Sequence, residues 1–316
     1  MKLSIIVVNY NSWPDVLSQA TSFQSPQLQD DMELVVVDNA STAAAPAKRP
    51  NDANIKWLDL VENGGFAAGV NAGARVANGK WLLLLNPDVT LEEETLSQLM
   101  QLIARYDSQK EVAVIGSKLT NPDGSTQASA GPFPSFGRIF KEIFMSAQKR
   151  RYSNLNPERR QQVDWVTGAF MLIRKDVFDE LGGFCDDYFL YFEETDFCYQ
   201  VRAAGHTVIF DPTISVCHRH PLQNRSTPPI IRIYTRHSRM LFFERNRPRW
   251  ESFSMMALVY CEALLRSILA LIRGDKGYRY AWLCITDMCK MFAAKNPPLG
   301  ISVRLMAEKS LKITAP

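Results

Sequence analysis

Asp88 is a residue whose type and position suit chemistry, because it follows directly after an apolar run. That run, Trp81–Leu85, has the continuity of a central parallel strand that is buried on both faces. Pro87 cannot extend a strand ladder, so the strand ends at Asn86-Pro87-Asp88 and leaves Asp88 at its carboxyl end, where open α/β sheets bind ligands. A carboxylate there is placed to bind a metal ion. The alternative is an ordinary turn, for which Asn, Pro and Asp are also suited.

A second acidic group, Glu193-Glu194-Thr195-Asp196, begins a segment with helical spacing. A helix from near Glu193 to Gly205 places four residues on one inward stripe, namely Glu194, Phe197, Val201 and Ala204. An inward carboxylate at the head of an apolar stripe is costly unless it is paired or functional, so Glu194 is predicted to have a catalytic role. Glu193 and Asp196 share a different side, and stabilisation of the helix dipole accounts for them more simply.

A sheet is needed to position these acids, and the beginning of the chain predicts one. Strand, helix and strand follow one another, at Leu3–Val8, about Trp13–Phe23 and Glu33–Val37. This order predicts a right-handed parallel unit, and it places Asn9 and Asp38 at the carboxyl ends of neighbouring strands. The chain is therefore predicted to have an α/β fold.

A third strand, near Ile55–Leu60, leads into the glycine-rich turn Asn63-Gly64-Gly65-Phe66, which opens a helix of small residues. Backbone amides at such a helix start can approach a diphosphate, and the helix dipole assists. The spacing does not fit GxGxxG, so a dinucleotide fingerprint is rejected. Close packing of a helix on a sheet also favours Gly and Ala, and the two explanations do not exclude each other.

Two of the four histidines, His218 and His220, lie in a predicted strand at Ser215–His220, which follows another short strand at Val208–Phe210. Side chains alternate along an extended segment, so only one of the two can face a given site. A single histidine is more often structural than a ligand. Its place next to the acidic group favours a functional role.

The composition indicates a folded globular protein without a metal or disulfide scaffold. Hydrophobic residues make up 46% and charged residues 22% of 316 residues, and the net charge of +3 does not by itself indicate nucleic acid. The six cysteines form no CxxC pair, so reduced thiols in the cytoplasm are expected. The amino terminus enters a strand after one lysine, and no signal peptide is predicted.

Taken in order, these motifs resemble glycosyltransferase family 2, in its rhamnosyltransferase-like branch. The resemblance runs through Ser4–Asn11, Val35–Ser41, Asn63–Asn71, Leu82–Val89, Trp165–Arg174 and Gly182–His218. It implies a GT-A type fold, with a Rossmann-like, mostly parallel central sheet flanked by helices. It also implies an inverting, metal-dependent transfer of a sugar from a nucleoside diphosphate to an acceptor hydroxyl. The expected catalytic domain is 1–227, followed by a helical region at 228–316.

The resemblance assigns expected roles to individual residues. Asp38 matches the residue that hydrogen-bonds the pyrimidine base, and Glu194 matches the second acid of the paired-acid motif, the general base. Asp88 matches the last carboxylate of the DxD metal motif, and His218 matches the histidine that completes the diphosphate and metal site, for Mg²⁺ or Mn²⁺. The rest of the nucleotide-sugar site is expected at Asn9, Asn11, Asn63, Gly64, Gly69, Asn71 and Asn86, and the acceptor side of the active-site wall at Trp165, Gly168, Glu193 and Asp196.

Asn86 departs from the family pattern, because it replaces the first carboxylate of DxD. This replacement weakens neutralisation of the metal's charge and leaves more of that task to Asp88, His218 and the diphosphate itself. The expected donor is dTDP-rhamnose, with a UDP-sugar as the alternative, and the expected acceptor is a polyprenyl-linked glycan precursor of a surface polysaccharide. A catalytically inactive protein that binds nucleotide sugars is the alternative that Asn86 suggests. No nucleic-acid partner is expected.

Beyond about Pro228 the family motifs stop and a helical, basic and apolar region begins. Ser252–Ile272 has the length of a membrane span, but it contains Glu262 and Arg266, four residues apart and able to pair. Amphipathic helices on the cytoplasmic face of the plasma membrane are therefore predicted, with the arginines of 232–249 and the basic cluster Lys149-Arg150-Arg151 suited to anionic surfaces. The alternatives are a helical bundle packed on the catalytic domain and a homodimer interface.

Asn246-Arg247-Pro248-Arg249-Trp250 nearly matches the QxxRW signature of processive synthases, but is interpreted as a helix-breaking junction.

Overall fold

The computed structural model describes residues 1–23, 31–90, 92–143, 158–219 and 228–314, so the basic cluster at 149–151 and His220 lie outside the described residues. The strands are β1 (Leu3–Asn9), β2 (Met32–Asp38), β3 (Ile55–Asp59), β4 (Trp81–Leu85), β5 (Val112–Thr120), β6 (Thr126–Gln127), β7 (Ala130–Gly131), β8 (Gln161–Val163), β9 (Trp165–Val166), β10 (Phe170–Arg174) and β11 (Thr207–Cys217). The helices are α1 (Trp13–Phe23), α2 (Phe66–Val76), α3 (Glu93–Tyr106), α4 (Phe136–Ile143), α5 (Lys175–Glu180), α6 (Glu193–Ala203), α7 (Pro229–Asn246), α8 (Arg249–Ile272), α9 (Lys276–Ala293) and α10 (Gly300–Thr314).

The central sheet has the order β3-β2-β1-β4-β10-β5-β11-β8, with β6 paired to β5. The pairs β1 with β2, β1 with β4, β2 with β3 and β5 with β11 are parallel, whereas β10 runs antiparallel between β4 and β5. The edge strand β8 is also antiparallel to its neighbour β11. This mostly parallel sheet with flanking helices confirms the predicted fold class.

Both faces of the sheet are covered, which explains why β1, β2 and β4 are apolar without alternation. Along β1, Ile5 and Val7 belong to a core that α1 and α3 complete, whereas Ile6 and Val8 belong to the core on the other face, beneath α2 and α6. Neighbouring residues of the strand therefore stabilise opposite layers, so the strand has no solvated face.

The direction of β10 has a consequence for the edge of the sheet. Because β10 is antiparallel to β4 and β5, those two are parallel to each other, and the carboxyl ends of all the parallel strands lie along one edge. The beginning of β10 lies at the same edge, where the backbone amide of Asn86 donates to the carbonyl of Ala169 at 3.0 Å. The residues that follow β4 and those that precede β10 are thus neighbours.

β11 corrects one detail of the sequence analysis, since the strands predicted at 208–210 and 215–220 form one continuous strand with a register shift between Phe210 and Ser215. Pro212 lies within the shift and has no amide to donate to the ladder. The carboxylate of Asp211 instead accepts hydrogen bonds from the amide and hydroxyl of Thr213 and from the hydroxyl of Tyr106, at 3.0, 2.5 and 2.8 Å.

The carboxy-terminal helices α7 to α10 confirm the predicted helical extension. Their apolar core includes Phe242 and Trp282, and it reaches the sheet-containing part of the chain through Tyr188 and Phe189. A polar contact reinforces this packing, because the hydroxyl of Ser238 on α7 donates to the carbonyl of Leu190 at 2.9 Å. The division of the chain at residue 227 stays a prediction.

Candidate active site

Asp88 and His218 meet at the edge of the sheet where β4 and β11 end. The Nε2 atom of His218 lies 3.2 Å from Oδ1 of Asp88 and 3.4 Å from the side-chain nitrogen of Asn86. The backbone holds the two segments together, because Val89 and His218 form an isolated antiparallel bridge and the amide of Arg219 donates to the carbonyl of Asp88 at 2.9 Å. The structure therefore brings together the two predicted metal ligands, Asp88 and His218, with Asn86, which is predicted in the nucleotide-sugar site.

Gln127, which the sequence analysis did not single out, sets the tautomer of His218. The amide nitrogen of Gln127 donates to the carbonyls of Thr120 and His218 and to the side-chain oxygen of Asn121, at 2.9 to 3.1 Å. These three bonds fix the orientation of the amide, so its oxygen accepts the proton of His218 Nδ1 across 3.0 Å. Nε2 therefore faces Asp88 and Asn86, the orientation in which a neutral imidazole could bind a metal ion beside Asp88.

This donor set fits a divalent cation that also binds phosphate. Asp88 supplies a carboxylate, His218 an imidazole nitrogen and Asn86 an amide oxygen when its side chain is turned. Mg²⁺ and Mn²⁺ favour oxygen ligands and commonly combine one or two carboxylates with substrate phosphates. Within the described residues no group of three or more His, Cys, Asp or Glu side chains is arranged to hold a metal ion.

The carboxylate of Asp38 is fixed at the ends of β1 and β2. Its Oδ1 atom accepts hydrogen bonds from the side-chain nitrogen of Asn9 at 2.8 Å and from the hydroxyl of Ser41 at 2.5 Å. Asn11, in a left-handed conformation with φ of 61°, orders the same loop, because its side-chain oxygen accepts the amide of Ala43 at 2.8 Å. The predicted residues Asn9, Asn11 and Asp38 therefore form one connected group.

Asn39 connects this group to the glycine-rich turn, and the sequence analysis missed it. Its side-chain nitrogen donates to Oδ1 of Asn63 at 3.0 Å and to the carbonyl of Gly65 at 2.9 Å, and its side-chain oxygen accepts the amide of Gly64 at 3.2 Å. Asn39 is only 3% exposed. Its position directly after a buried strand is the same signal that identified Asp38.

The glycines of this turn have different reasons for being small. Gly65 has a φ of +93°, and an added Cβ would lie 2.3 Å from the carbonyl oxygen of Phe189, which accepts the amide of Phe66 at 3.0 Å. Glycine at this position brings the turn against the segment that precedes Glu194. A Cβ on Gly69 would lie 2.6 Å from Val8, so close packing of α2 on the sheet accounts for this residue.

Glu194 lies at the start of α6, after two consecutive residues in the left-handed region. Tyr191 and Phe192 have φ angles of 71° and 69°, a conformation that costs free energy in residues other than glycine and that clusters at functional sites. A Cβ placed on Gly168 would lie 3.9 Å from Cβ of Glu194 and 3.2 Å from the ring of Phe66. Glu194 therefore lies beside the residue that precedes Ala169, close to the end of β4.

Burial raises the pKa of Glu194 to about 7, although backbone hydrogen bonds lower it in part. Part of the Glu194 surface reaches solvent, but protein atoms surround its carboxyl group densely enough to disfavour the charged form. A carboxyl group that titrates near neutral pH is suited to accept a proton during a reaction. The predicted inward stripe continues through Phe197 and Val201, which are buried, but Ala204 is exposed because α6 ends at Ala203.

Glu193 and Asp196 are not solvated acids at a helix start, since they are only 3% and 2% exposed. Burial and then the charge of Glu194 raise the pKa of Glu193 well above its usual value. Asp196 accepts hydrogen bonds from the Tyr188 hydroxyl at 3.1 Å and from the side chain of Asn246, so it joins α6 to α7. This environment places Asp196 between helices and not on a wall that faces an acceptor.

Two other predicted residues are also engaged in holding the scaffold. The indole of Trp165 donates to the carbonyl of Pro132 at 3.0 Å. The side-chain nitrogen of Asn71 donates to the carbonyl of Phe184 and to the carboxylate of Asp186, both at 2.8 Å, and its oxygen accepts the Phe184 amide at 2.9 Å. Asn71 lines a separate hollow with Gly183 and does not line the cavity at the glycine-rich turn.

A cavity of about 370 Å³ opens between the glycine-rich turn and the carboxy-terminal helices. Asn39, Asn63 and Phe66 line one side of it, and Tyr234 of α7 and Arg304 of α10 line the other. The guanidinium of Arg304 donates to the backbone carbonyl of Asn63 at 2.7 Å. The helical region therefore completes the surroundings of the glycine-rich turn, a role that no local pattern around Arg304 indicates.

Comparison with known proteins agrees with this geometry. Residues 4–182, more than half of the chain, match the family model described as Glycosyl transferase family 2. The chain is 27% identical over 237 residues to the low-salt glycan biosynthesis hexosyltransferase Agl10 of Haloferax volcanii, covering 73% of this chain and 72% of that protein. It is 24% identical over 265 residues to the N-acetylglucosaminyl-diphospho-decaprenol L-rhamnosyltransferase of Mycobacterium tuberculosis, covering 78% of this chain and 84% of that protein.

A solved structure, GalNAc-T7 with UDP, GalNAc and Mn²⁺, superposes with a TM-score of 0.51 at 16% identity over 77% of this chain and half of that one. This likeness supports the GT-A type fold and no more, since the identity is low. The matched range includes Asp38, the glycine-rich turn and Asp88. The chain belongs to glycosyltransferase family 2.

Proposed function

We propose that this enzyme transfers L-rhamnose from dTDP-rhamnose to a hydroxyl group of a lipid-linked precursor of a surface polysaccharide, with inversion at the anomeric carbon. The observation that carries the proposal is the step Gly168-Ala169 at the edge of the sheet. Ala169 accepts the amide of Asn86, two residues before Asp88, and Gly168 lies against Glu194. One backbone step therefore contacts both the segment that leads to the proposed metal-binding carboxylate and the residue proposed as the base.

In the proposed reaction, the acceptor oxygen forms a bond to the anomeric carbon while the bond from that carbon to the phosphate oxygen breaks. The nucleoside diphosphate departs with the electron pair, and Glu194 takes the proton of the attacking hydroxyl. Asp88 and Nε2 of His218 would hold a divalent cation, which supplies neutralisation of the charge on the departing diphosphate when bound. No protein nucleophile is required, because one displacement completes the transfer.

The donor assignment draws on the pyrimidine end of the site and on the relatives. Asp38 is an acceptor whose orientation Asn9 and Ser41 fix, and it suits the imide N–H of either thymine or uracil. The name of the mycobacterial relative supports rhamnose and a diphospho-decaprenol acceptor. The haloarchaeal relative is named a hexosyltransferase, so a UDP-hexose is kept as the second candidate donor. The neutral Asn86 motivates an inactive sugar-nucleotide-binding protein as a third.

We also propose a peripheral position on the cytoplasmic face of the membrane. Within the described ranges, α8 is the one helix whose length and composition would allow it to cross a membrane. The charged residues in its middle are paired inside the helical region, because Glu262 pairs with Arg266 at 2.8 Å and with Arg236 of α7 at 2.9 Å. This pairing joins α8 to α7 and supports a helix that lies on a membrane over one that crosses it.

A thermal-shift panel of nucleotide sugars tests the proposed donor. At a concentration of 100 times Kd, dTDP-rhamnose with Mn²⁺ is expected to stabilise the folded state by about 2.7 kcal/mol, and to do so less without the metal. GDP-mannose serves as the purine control and should leave the melting temperature unchanged. A larger shift with UDP-hexoses would replace the donor assignment, and the absence of a shift with every nucleotide sugar would contradict the proposed function.

A further inference from the structure

A basic hollow of about 290 Å³ lies between α7, α8 and α9, apart from the candidate active site. Arg232, Arg266 and Arg273 line it, and Asp275 is the acidic side chain among its lining residues. The guanidinium of Arg232 lies over the rings of Tyr278 and Trp282, with 5.3 and 5.9 Å to their centroids. The hollow is therefore positively charged, and aromatic rings form part of its lining.

The positive charges of the arginines at this hollow outnumber the acidic side chains that pair with them. Arg266 shares Glu262 with Arg236, and both guanidinium groups lie over Trp282, each 5.3 Å from the ring centroid. Among the described residues, neither Arg232 nor Arg273 forms an ion pair. Guanidinium groups held in place by aromatic stacking are well suited to bind phosphate oxygens, because little further ordering is needed.

Beside the hollow, α8 exposes an apolar ridge to solvent, formed by Phe253, Leu264, Leu265, Ile268, Leu271 and Ile272. The exposed fractions are large, at 67% for Phe253, 61% for Leu265, 55% for Ile268 and 76% for Ile272. At a rise of 1.5 Å per residue the ridge extends for roughly 30 Å. A contiguous exposed apolar surface of this length marks an interaction site.

We propose that the hollow binds the phosphate group of an anionic phospholipid while the apolar ridge lies in the membrane interface. The two features adjoin, because Leu269 lies next to Ile268 in the sequence and lines the hollow together with Arg266 and Arg273. An interfacial helix combines these two properties, an apolar face among acyl chains and basic side chains at the headgroups. The inference deepens the proposed function, since it names the surface that would bring the enzyme to a lipid-linked acceptor.

Charge favours a membrane over a second copy of the chain as the occupant. If two ridges packed side by side in the same direction, Arg273 of each copy would approach Arg273 of the other. If they packed in opposite directions, Arg273 of each copy would approach Arg249, which is exposed at the other end of α8. Both arrangements place like charges together, whereas an anionic surface complements the arginines.

Co-sedimentation with vesicles of phosphatidylcholine alone and with 30% phosphatidylglycerol tests the proposal. The full chain is expected to partition preferentially onto the anionic vesicles. Arg273→Gln should lower its partition coefficient about fivefold, and Arg232→Gln combined with Arg273→Gln about 25-fold. Arg279→Gln is the matched control, because Arg279 is an exposed arginine of α9 that does not line the hollow, and it should change the partition less than twofold. Leu265→Ser with Ile268→Ser should abolish binding to both kinds of vesicle.

Several results would overturn the inference. Equal partition of the wild type onto both kinds of vesicle, or no effect of the paired arginine variant, would remove the phosphate site. Light scattering without lipid would assign the ridge to a second copy if the wild type is a dimer that does not bind vesicles and the ridge variant is a monomer. Resistance of the vesicle-bound chain to carbonate extraction would indicate a spanning helix. The hollow would instead be a site for free phosphate if inorganic phosphate stabilises the folded chain as much as anionic vesicles do and the arginine variants lose that stabilisation.

A parallel titration of the same variants with dTDP-rhamnose and Mn²⁺ separates this inference from the proposed function. The arginine and ridge variants should bind the donor as the wild type does, because neither group of residues lines the cavity at the glycine-rich turn. If the wild type binds anionic vesicles but does not bind the donor, only the proposed function is contradicted. Donor binding without preference for anionic vesicles would contradict only the membrane site.

Discussion

Replacement of Glu194 by glutamine is expected to lower kcat about 10²- to 10⁴-fold, the range that a general base contributes. The amide keeps the shape of the side chain beside Gly168 but cannot accept the proton of the attacking hydroxyl. The affinity for the donor should change by less than about threefold, because Glu194 acts on the acceptor. Steady-state kinetics at saturating donor and acceptor measures kcat, and a separate titration of the variant with the donor measures the affinity. Glu93→Gln is the control, because Glu93 is an exposed acid in the first turn of another helix.

The pH dependence gives a second measurement on the same variant. Glu194 has a pKa raised to about 7, so it is protonated and inactive as a base below that pH and becomes active as the pH rises through 7. The kcat/KM of the wild type should therefore fall about tenfold per pH unit below this value. Glu194→Gln should remove this inflection. An inflection near 7 that persists in the glutamine variant would assign the base to another group.

Asp88→Asn is expected to lower kcat/KM by about 10²- to 10³-fold, since it removes the carboxylate that would hold the cation needed to neutralise the departing diphosphate. Asn86 is already neutral, and within the described residues Asp88 is the carboxylate paired with His218. The variant therefore leaves the described residues of this site without a carboxylate. The Mn²⁺ concentration at half-maximal activity should rise at least about tenfold, as loss of an anionic ligand weakens cation binding. A titration of activity with Mn²⁺ measures both effects.

The chain contains its own control for this variant in a second Asn-Pro-Asp triplet, at 121–123. Asp123 is exposed and accepts hydrogen bonds from the amide and hydroxyl of Ser125, at 2.9 and 2.6 Å, as a turn residue does. Asp123→Asn should leave kcat/KM and the Mn²⁺ dependence unchanged. Equal effects of the two substitutions, or an unchanged metal dependence in Asp88→Asn, would contradict the assignment of Asp88 as a metal ligand.

These two triplets show what local sequence can and cannot predict. The apolar run before Asp88 correctly predicted a buried strand with polar residues at its end, and the same reasoning located Asn9 and Asp38. The pairing of Asp88 with His218 joins residues 130 positions apart, so it depends on strand order. The antiparallel insertion of β10 between β4 and β5, which brings Gly168 to that edge, has no signal in residue periodicity.

Helical spacing predicted the position of α6 well, but the surroundings of its acidic residues depend on the tertiary structure. The dipole explanation for Glu193 and Asp196 assumed solvent around the first turn, whereas packing against α7 buries Asp196 and bonds it to Asn246. Asn71 likewise bonds to a turn more than a hundred residues later in the chain. Polar residues with distant partners cannot be separated from ligand-binding residues by their type and spacing alone.

The anomeric configuration of the first product tests the central claim most directly, because that claim is a single displacement between Asp88 and Glu194. Proton NMR of product formed from dTDP-rhamnose and a lipid-linked acceptor in the first turnovers reports this configuration. Inversion relative to the donor is expected, with Glu194→Gln producing the same anomer at a greatly reduced rate. Retention of configuration would contradict a direct displacement, and with it the role proposed for Glu194 as the base.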